Sequence, residues 1–395
     1  MSVTLLPADA DMSRGDVRRD GRCFKWLAGL GNSLTRRAGY ATVTLGSLIW
    51  RRSNKRTLCQ RDPDHESRCV RRTRILYVAG LGRTGSTVLG GMLGGLPDVT
   101  FVGELSFFWR RFANGELCSC GQPLAACPFW SEVVRTAYRG LTPARAQHFA
   151  EMERRMLRRQ VLPGRSIADG DGPIRAMLNE RARLYSAIAH VAQAIWIVDT
   201  GKNLTYGRLL ARLDGVDFAT IHIVRDPRGV AFSWLKHVRS DSEPGELDRR
   251  SAGNSAAHWV AQNLAMQWVL PRRSSTYLRV RYEELVTHPA EVVSAISSAT
   301  GMTVRNSNEL ARYLAIRPTQ LHLVAGNPGV RARVGGGVPL ALDEEWRVGL
   351  PQAQRWTVTA ICAGLMCAYG YPLRSTTIPR SWESRAPRLG SRPHG

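Results

Sequence analysis

The sequence predicts an α/β protein of three layers, with a central, mainly parallel sheet and helices on both faces. Three observations carry this. Five short apolar runs without polar alternation are spread along the chain, helical stretches lie between them, and each run stops at a glycine or a charged residue. Continuous apolar runs suit strands buried on both faces, the condition of a parallel sheet covered by its crossover helices. The runs are Ile75 to Ala79, ending at Gly80; Val99 to Val102, ending at Gly103-Glu104; Ala194 to Val198, ending at Asp199; Phe218 to Val224, ending at Arg225-Asp226; and Tyr277 to Tyr282, ending at Glu283-Glu284. In open sheets of this kind ligands bind beyond the carboxyl ends of the strands. The residues that follow the runs are therefore the place to look for chemistry.

The flanks of this body, residues 74–372, read differently. Residues 1–73 mix Arg, Asp, Ser and Gly with little periodicity and are expected to form a basic, disordered arm. Within it, Phe24 to Trp50 has the pattern of an amphipathic helix flanked by Arg36, Arg37, Arg51 and Arg52, suited to weak contact with a membrane surface. Residues 373–395, rich in Pro, Ser and Arg, are expected to be a disordered basic tail. Hydrophobic residues make up 44% of the chain, which excludes wholesale disorder. No run nears the ~18 consecutive apolar residues of a spanning helix, and no apolar segment follows a basic start as in a signal peptide. A soluble, cytoplasmic protein is expected.

The net charge of +23 raises nucleic acid as a partner, but its distribution argues otherwise. Residues 1–74 carry +9 and residues 373–395 carry +4, leaving +10 on the body. Only four of the 55 basic residues are lysines: Lys25, Lys55, Lys202 and Lys236. A moderately basic body fits a small polyanionic ligand better than a nucleic acid.

The sharpest local signal is Gly80-Leu81-Gly82-Arg83-Thr84-Gly85-Ser86-Thr87, between the first strand and a helical pattern (Val88, Leu89, Met92, Leu93). Glycines allow a tight turn whose N–H groups point at an anion, and the helix adds its positive N-terminus. This is a P-loop-like arrangement. The Walker A pattern is not met, because Ser86 stands where that motif has lysine and the basic residue, Arg83, lies earlier.

Arg74 to Met92 resembles the 5′-phosphosulfate-binding loop of sulfotransferases that use 3′-phosphoadenosine 5′-phosphosulfate (PAPS). Many members have lysine where this chain has Arg83; arginine there is similar to the carbohydrate-type and many bacterial members. A second segment, Ile223 to Trp234, resembles the 3′-phosphate motif, in which an arginine (Arg225) ends a strand and a serine (Ser233) lies eight residues on in the next helix. Val198-Asp199-Thr200-Gly201-Lys202 is similar to a strand-end Asp-Ser-Ser-Lys segment, with Gly201 replacing the second serine. Arg281 to Leu285 resembles a late structural strand. His322-x3-Gly326-Asn327-Pro328 resembles the late loop that closes over the nucleotide, followed by Arg331, with Arg333 as the fallback.

The resemblance implies a P-loop-like fold over about residues 74–372 and transfer of a sulfuryl group from PAPS to an acceptor hydroxyl or amine, leaving 3′-phosphoadenosine 5′-phosphate. Gly82, Arg83, Thr84, Gly85, Ser86, Thr87, Arg225, Ser233, Asn327 and Arg331 are then the donor-binding residues. Arg83 is expected to stabilise the leaving group by charge alone, since an arginine does not release its proton at neutral pH. Lys202 is a second cation for the transferring oxygens, and otherwise an ordinary surface lysine. Glu104, after the second strand, is the expected acceptor base, with its pKa raised by burial, or else a structural carboxylate. His190, His222, His237 and His258 are rival bases without a distinguishing spacing.

No metal is expected. Cys118, Cys120 and Cys127 resemble a feature of bacterial sulfotransferases, but three cysteines with no nearby histidine fall one ligand short of a structural zinc site. Packed thiols are expected, or a disulfide in an oxidising compartment. The helix-rich insertion 104–190 is expected to cover the acceptor. Leu105, Phe107, Phe108 and Trp109 line its pocket or form helix core. A carbohydrate, a glycolipid and a small molecule all remain open as acceptors. The alternatives are another P-loop enzyme, a nucleotide kinase or NTPase, and a non-catalytic nucleotide-binding relative.

Overall fold

A computed structural model describes residues 44–45, 48–52, 72–160, 172–235, 251–304, 321–326 and 341–374. The five apolar runs are strands of one parallel sheet. In chain order the strands are β1 (Thr44–Leu45), β2 (Leu48–Arg52), β3 (Thr73–Gly80), β4 (Val99–Gly103), β5 (Trp196–Lys202), β6 (Val216–Val224) and β7 (Thr276–Arg281). They lie in the order β1-β2-β7-β6-β3-β5-β4. All pairings from β4 to β7 are parallel, with β3 at the centre between β5 and β6. The helices are α1 (Ser86–Leu93), α2 (Phe108–Ala113), α3 (Pro128–Tyr138), α4 (Pro143–Gln160), α5 (Gly172–Val191), α6 (Leu204–Leu210), α7 (Pro227–Leu235), α8 (Ala252–Val269), α9 (Tyr282–Thr287), α10 (Pro289–Thr300), α11 (Trp346–Gly349) and α12 (Gln352–Ala368).

Alternate residues of each strand serve different cores. Leu76 and Val78 of β3, Val198 of β5, Ile221 and Ile223 of β6 and Val280 of β7 pack under Leu89 and Met92 of α1 and Val293 and Ile296 of α10. Ile75, Tyr77 and Ala79 of β3 face the insertion, whose α2 to α5 contribute Phe108, Trp109, Trp130, Leu184 and Tyr185. The charged stretches of the insertion are thus one side of amphipathic helices with a large aromatic core beneath them.

Two sequence expectations are corrected here. The helix expected over Phe24 to Trp50 is strand where the structure describes it. Residues 44–45 and 48–52 pair with each other and then, antiparallel, with β7, so they join the sheet edge rather than standing apart as an arm. β-Branched and aromatic residues on either side of Gly46-Ser47 are a hairpin signal, and a local one. The strand expected over Arg281 to Leu285 is instead α9, starting at Tyr282. Glu283 and Glu284 sit in its first turn, where the helix dipole favours negative charge.

Candidate active site

The glycine-rich loop leaves β3 at Gly80 and enters α1 at Ser86. Gly85 caps that helix with φ 86°, and a Cβ there would sit 2.5 Å from the Tyr282 ring, so both the turn and the approach require glycine. Thr84 Oγ1 donates to the Leu81 carbonyl at 2.7 Å, which closes the turn from within. Thr84, Ser86 and Thr87 are buried. Arg83 takes a left-handed backbone, φ 72°, uncommon for a non-glycine residue. Its guanidinium lies 5.9 Å from the Trp234 ring on α7. Burial lowers its pKa from the ordinary value, and the charge of nearby Glu104 opposes that shift.

Glu104 and Lys202 come together although they are 98 residues apart. Lys202 Nζ donates to Glu104 Oε1 at 2.6 Å, and the Glu104 side chain is only 9% exposed. Glu104 directly follows β4, and Lys202 is the last residue of β5; both strand ends are distorted. Gly103 has φ 77°, and a Cβ there would overlap the Ala325 carbonyl oxygen. Lys202 itself has φ 59°. Arg83, Lys202 and Glu104 thus gather at the carboxyl edge of β3, β5 and β4, two cations and a carboxylate beside a helix N-terminus.

Behind this edge lies a buried polar network that the sequence reading missed. Arg181 of α5 is fully buried; it forms an ion pair with Glu153 of α4, donates to the Leu105 carbonyl at 3.0 Å and stacks 3.8 Å from the Trp109 ring. Asp199 of β5 accepts from the N–H of Gly201 at 2.8 Å and of Leu105 at 3.4 Å through Oδ1, and from the Tyr185 hydroxyl through Oδ2. Tyr185 in turn meets the Tyr206 hydroxyl at 3.2 Å. Burial pushes Asp199 up to about 6, against its hydrogen bonds and the charge of Arg181. Burial pushes Glu153 up to about 7, again against Arg181. The network holds residue 105, next to Glu104, and residue 201, next to Lys202. The serine-to-glycine departure at 201 also has its reason here: a Cβ would stand 2.8 Å from the Tyr206 ring and 3.1 Å from that of Tyr77.

Arg225 leaves β6 beside the glycine-rich loop. Its guanidinium donates to the Arg83 carbonyl at 3.0 Å, meets the Asp343 carboxylate at 3.0 Å and stacks 4.6 Å from the Tyr282 ring. The same motif contains a structural turn, in which Arg228 pairs with Asp226 at 2.6 Å. Ser233 lies on α7, half-buried. Asn327, Arg331 and Arg333 lie outside the described residues, as does His237.

Of the rival histidines, His222 is a core residue. Its ring nitrogens meet the Tyr277 hydroxyl at 2.7 Å and Asn263 Oδ1 at 2.9 Å, and burial lowers it to about 3. His190 is exposed at the end of α5. Leu105, Phe108 and Trp109 are buried in the insertion core, while Phe107 is half-buried with Arg110 over its ring at 4.9 Å. Helix core is therefore the answer for three of these four. The reading that no histidine lies near the cysteines is corrected: His322 Nδ1 is 3.2 Å from Cys127 Sγ and 3.9 Å from Cys118 Sγ.

No curated protein matches the chain. Among solved structures, a sulfotransferase domain from the curacin biosynthetic pathway is 15% identical, matched over 76% of this chain and 99% of its own, with a TM-score of 0.42. The sulfotransferase domain of the Synechococcus PCC 7002 olefin synthase is 19% identical over 79% of this chain and 99% of its own, with a TM-score of 0.43. A sulfotransferase from Mycobacterium avium is 14% identical over 76% of this chain and 78% of its own, with a TM-score of 0.38. The model of the sulfotransferase family matches residues 76–306, more than half of the chain and the whole span from the phosphate loop past the last parallel strand, and the chain belongs to that family.

Proposed function

We propose that the protein transfers a sulfuryl group from PAPS to a hydroxyl or amine of a carbohydrate, glycolipid or small-molecule acceptor, as a soluble cytoplasmic enzyme. One observation carries the reading: Arg83, Lys202 and Glu104 gather from three strand ends beside the N-terminus of α1. When bound, PAPS supplies the activated sulfuryl group. The residues present suit an anionic donor. A glycine-rich loop opening a helix N-terminus attracts an anion, and Thr200 Oγ1, fully buried at the end of β5, has no hydrogen-bond partner among the described residues.

In this reading Arg83 neutralises the charge that grows on the leaving oxygens, which is electrostatic stabilisation by a group already in place. Lys202 orients the transferring oxygens and leaves its contact with Glu104 to do so. Glu104, released from that ion pair, takes the acceptor proton at its carboxylate. Arg225 and Ser233 hold the 3′-phosphate, with the phosphate replacing the Asp343 carboxylate on the Arg225 guanidinium. No helix among the described residues is long and apolar enough to cross a membrane.

Calorimetry with 3′-phosphoadenosine 5′-phosphate tests the donor site, with ATP–Mg²⁺ and adenosine 5′-phosphosulfate as controls. The expected result is binding that needs the 3′-phosphate and weakens by about 2–5 kcal/mol, roughly 30-fold or more, in Arg225→Ala. A preference for ATP–Mg²⁺ would overturn the reading in favour of a kinase or NTPase. Nucleotide binding with no sulfuryl transfer to any acceptor class would leave a non-catalytic relative.

A further inference from the structure

Three cysteines of the insertion and one histidine from the far end of the body meet at a single point. Cys118, Cys120, Cys127 and His322 each offer a ligand atom, and the four atoms lie within 4.8 Å of one another. We propose that these four residues bind a structural zinc ion that fastens the segment 321–326 to the insertion beside Glu104.

The distances fit the ion. Zinc–sulfur bonds near 2.3 Å and zinc–nitrogen bonds near 2.0–2.1 Å in a tetrahedron place the ligand atoms roughly 3.5–3.8 Å apart. Three of the six separations are 3.6 Å for Cys120 Sγ to Cys127 Sγ, 3.2 Å for Cys127 Sγ to His322 Nδ1 and 3.9 Å for Cys118 Sγ to His322 Nδ1, and the rest are within 4.8 Å. A disulfide needs about 2.05 Å between sulfurs, and these cysteines are free thiols. Three thiolates and one imidazole complete a four-coordinate zinc shell with no position left for a substrate, the composition of a structural rather than a catalytic site.

The ligands are held by their surroundings, as a metal site requires. Cys118 and Cys120 lie in a tight turn, in which the Cys118 N–H donates to the Gln122 carbonyl at 2.8 Å and the Gly121 N–H to the Cys118 carbonyl at 3.0 Å. Gly121 takes φ 88° there. Cys127 caps α3. Ser119, between the first two cysteines, reaches the histidine segment: its N–H donates to the Leu323 carbonyl at 3.1 Å, and its hydroxyl oxygen accepts from the Leu323 N–H at 2.8 Å. Trp130 Nε1 donates to the His322 carbonyl at 3.0 Å. The Phe129 ring stacks on the imidazole at 5.2 Å and 11°. The ring orientation that points Nδ1 at the sulfurs is thus set from several sides.

The site also has a place in the architecture. Two residues beyond His322, the Val324 N–H donates to the Val102 carbonyl at 3.0 Å, at the end of β4. Ala325 occupies the space left by the absent side chain of Gly103. The ion would join two segments that are 195 residues apart at the base of the turn that presents Glu104, closing a long loop that the chain otherwise closes with a few hydrogen bonds.

The test is metal analysis of the full-length protein, made without a histidine tag and without added metal. One zinc per chain is expected, retained on dialysis and released by a thiol-specific mercurial. Cys120→Ser and His322→Asn, at the two half-buried ligands, are expected to lose it; Cys367→Ser, in α12, is expected to keep it. Should the ligand variants fail to fold, cobalt titration of the metal-stripped wild-type chain decides. Tetrahedral d–d bands with thiolate charge transfer at one equivalent support the site, and their absence refutes it. A zinc-free chain whose three thiols react freely with Ellman's reagent, a Cys120–Cys127 disulfide in the native protein, or stoichiometric iron in place of zinc would each overturn the proposal. Metal content is read without donor or acceptor, so this result stands apart from that of the nucleotide experiment.

Discussion

The two faces of the parallel sheet are built on different principles. One is mainly aliphatic: Leu76, Val78, Val198, Ile221, Ile223 and Val280 meet Leu89, Met92, Val293 and Ile296, with Phe101 and Trp196 among them. The other carries the buried ionisable groups of the sheet. Asp199 and His222 project from its strands, Thr220 meets Ser274 at 2.6 Å, and the Glu153–Arg181 pair lies against Tyr185 and Tyr206. Burying such groups unpaired is costly, and pairing them returns little net stability. The polar face is therefore poorly explained by stability alone. Its contacts converge on Leu105 and Gly201, the neighbours of Glu104 and Lys202. The aliphatic face holds the sheet together; the polar face also sets the position of the candidate catalytic groups.

Breaking the buried ion pair gives the largest expected effect. Arg181→Met leaves Glu153 buried without its partner and should cost about 3–5 kcal/mol in denaturant unfolding. Adding Glu153→Leu should return most of that stability while turnover stays low, because the Leu105 carbonyl has lost its donor. Leu89→Ala on the aliphatic face should cost about 2–5 kcal/mol through a cavity, with turnover per folded molecule unchanged. A fully active double variant would dissolve the contrast between the faces.

Asp199 sharpens it through pH. Burial holds its carboxyl at about 6, above the ordinary 3.8. The folded state thus binds its proton more tightly than the unfolded state. The stability this confers is full below pH 4 and is lost as pH rises through 6, on the order of 3 kcal/mol in all. Glu153, held at about 7 by burial, adds a fall of the same sign, so unfolding measured from pH 4 to pH 7 should show a steep fall in the wild type that is reduced, not abolished, in Asp199→Asn. A slope unchanged in the variant would place its origin in another group.

The smallest effect is expected from Gly201→Ser, which introduces the serine of the strand-end segment that residues 198–202 resemble. The added Cβ meets Tyr206 and Tyr77, and overpacking of this kind costs about 1–3 kcal/mol. A variant as stable as the wild type in thermal unfolding would mean that the tyrosines yield easily and the polar face is loosely packed.

What was legible in the sequence follows the range of each interaction. The five parallel strands, the glycine-rich loop and the Gly103-Glu104 pair are local patterns, and the structure has them where the residues predict, apart from Arg281 to Leu285, which turns into a helix at Tyr282. Glu104 and Lys202 were legible singly, as residues following strands, but not as an ion pair. The polar network was hidden, because Glu153 and Arg181 sit in charged helical stretches that look like solvated surface until the tertiary fold closes over them. His322 was singled out as part of a late loop and left unconnected to the cysteines, for no spacing rule joins residues so far apart. The hairpin at 44–52 had a local signal in Gly46-Ser47, outweighed by the helical reading of a longer window.

That hairpin bears on how the protein can be handled. A parallel sheet ends in strands whose outer N–H and carbonyl groups invite any other extended chain. Here β2 occupies the outer side of β7, from Ile49 opposite Arg279 to Arg52 opposite Thr276. Trimming the chain back to the start of β3 would strip that cover and leave an adhesive edge, so a shortened form made for crystallisation or assay should keep residues 44–52 or expect to self-associate.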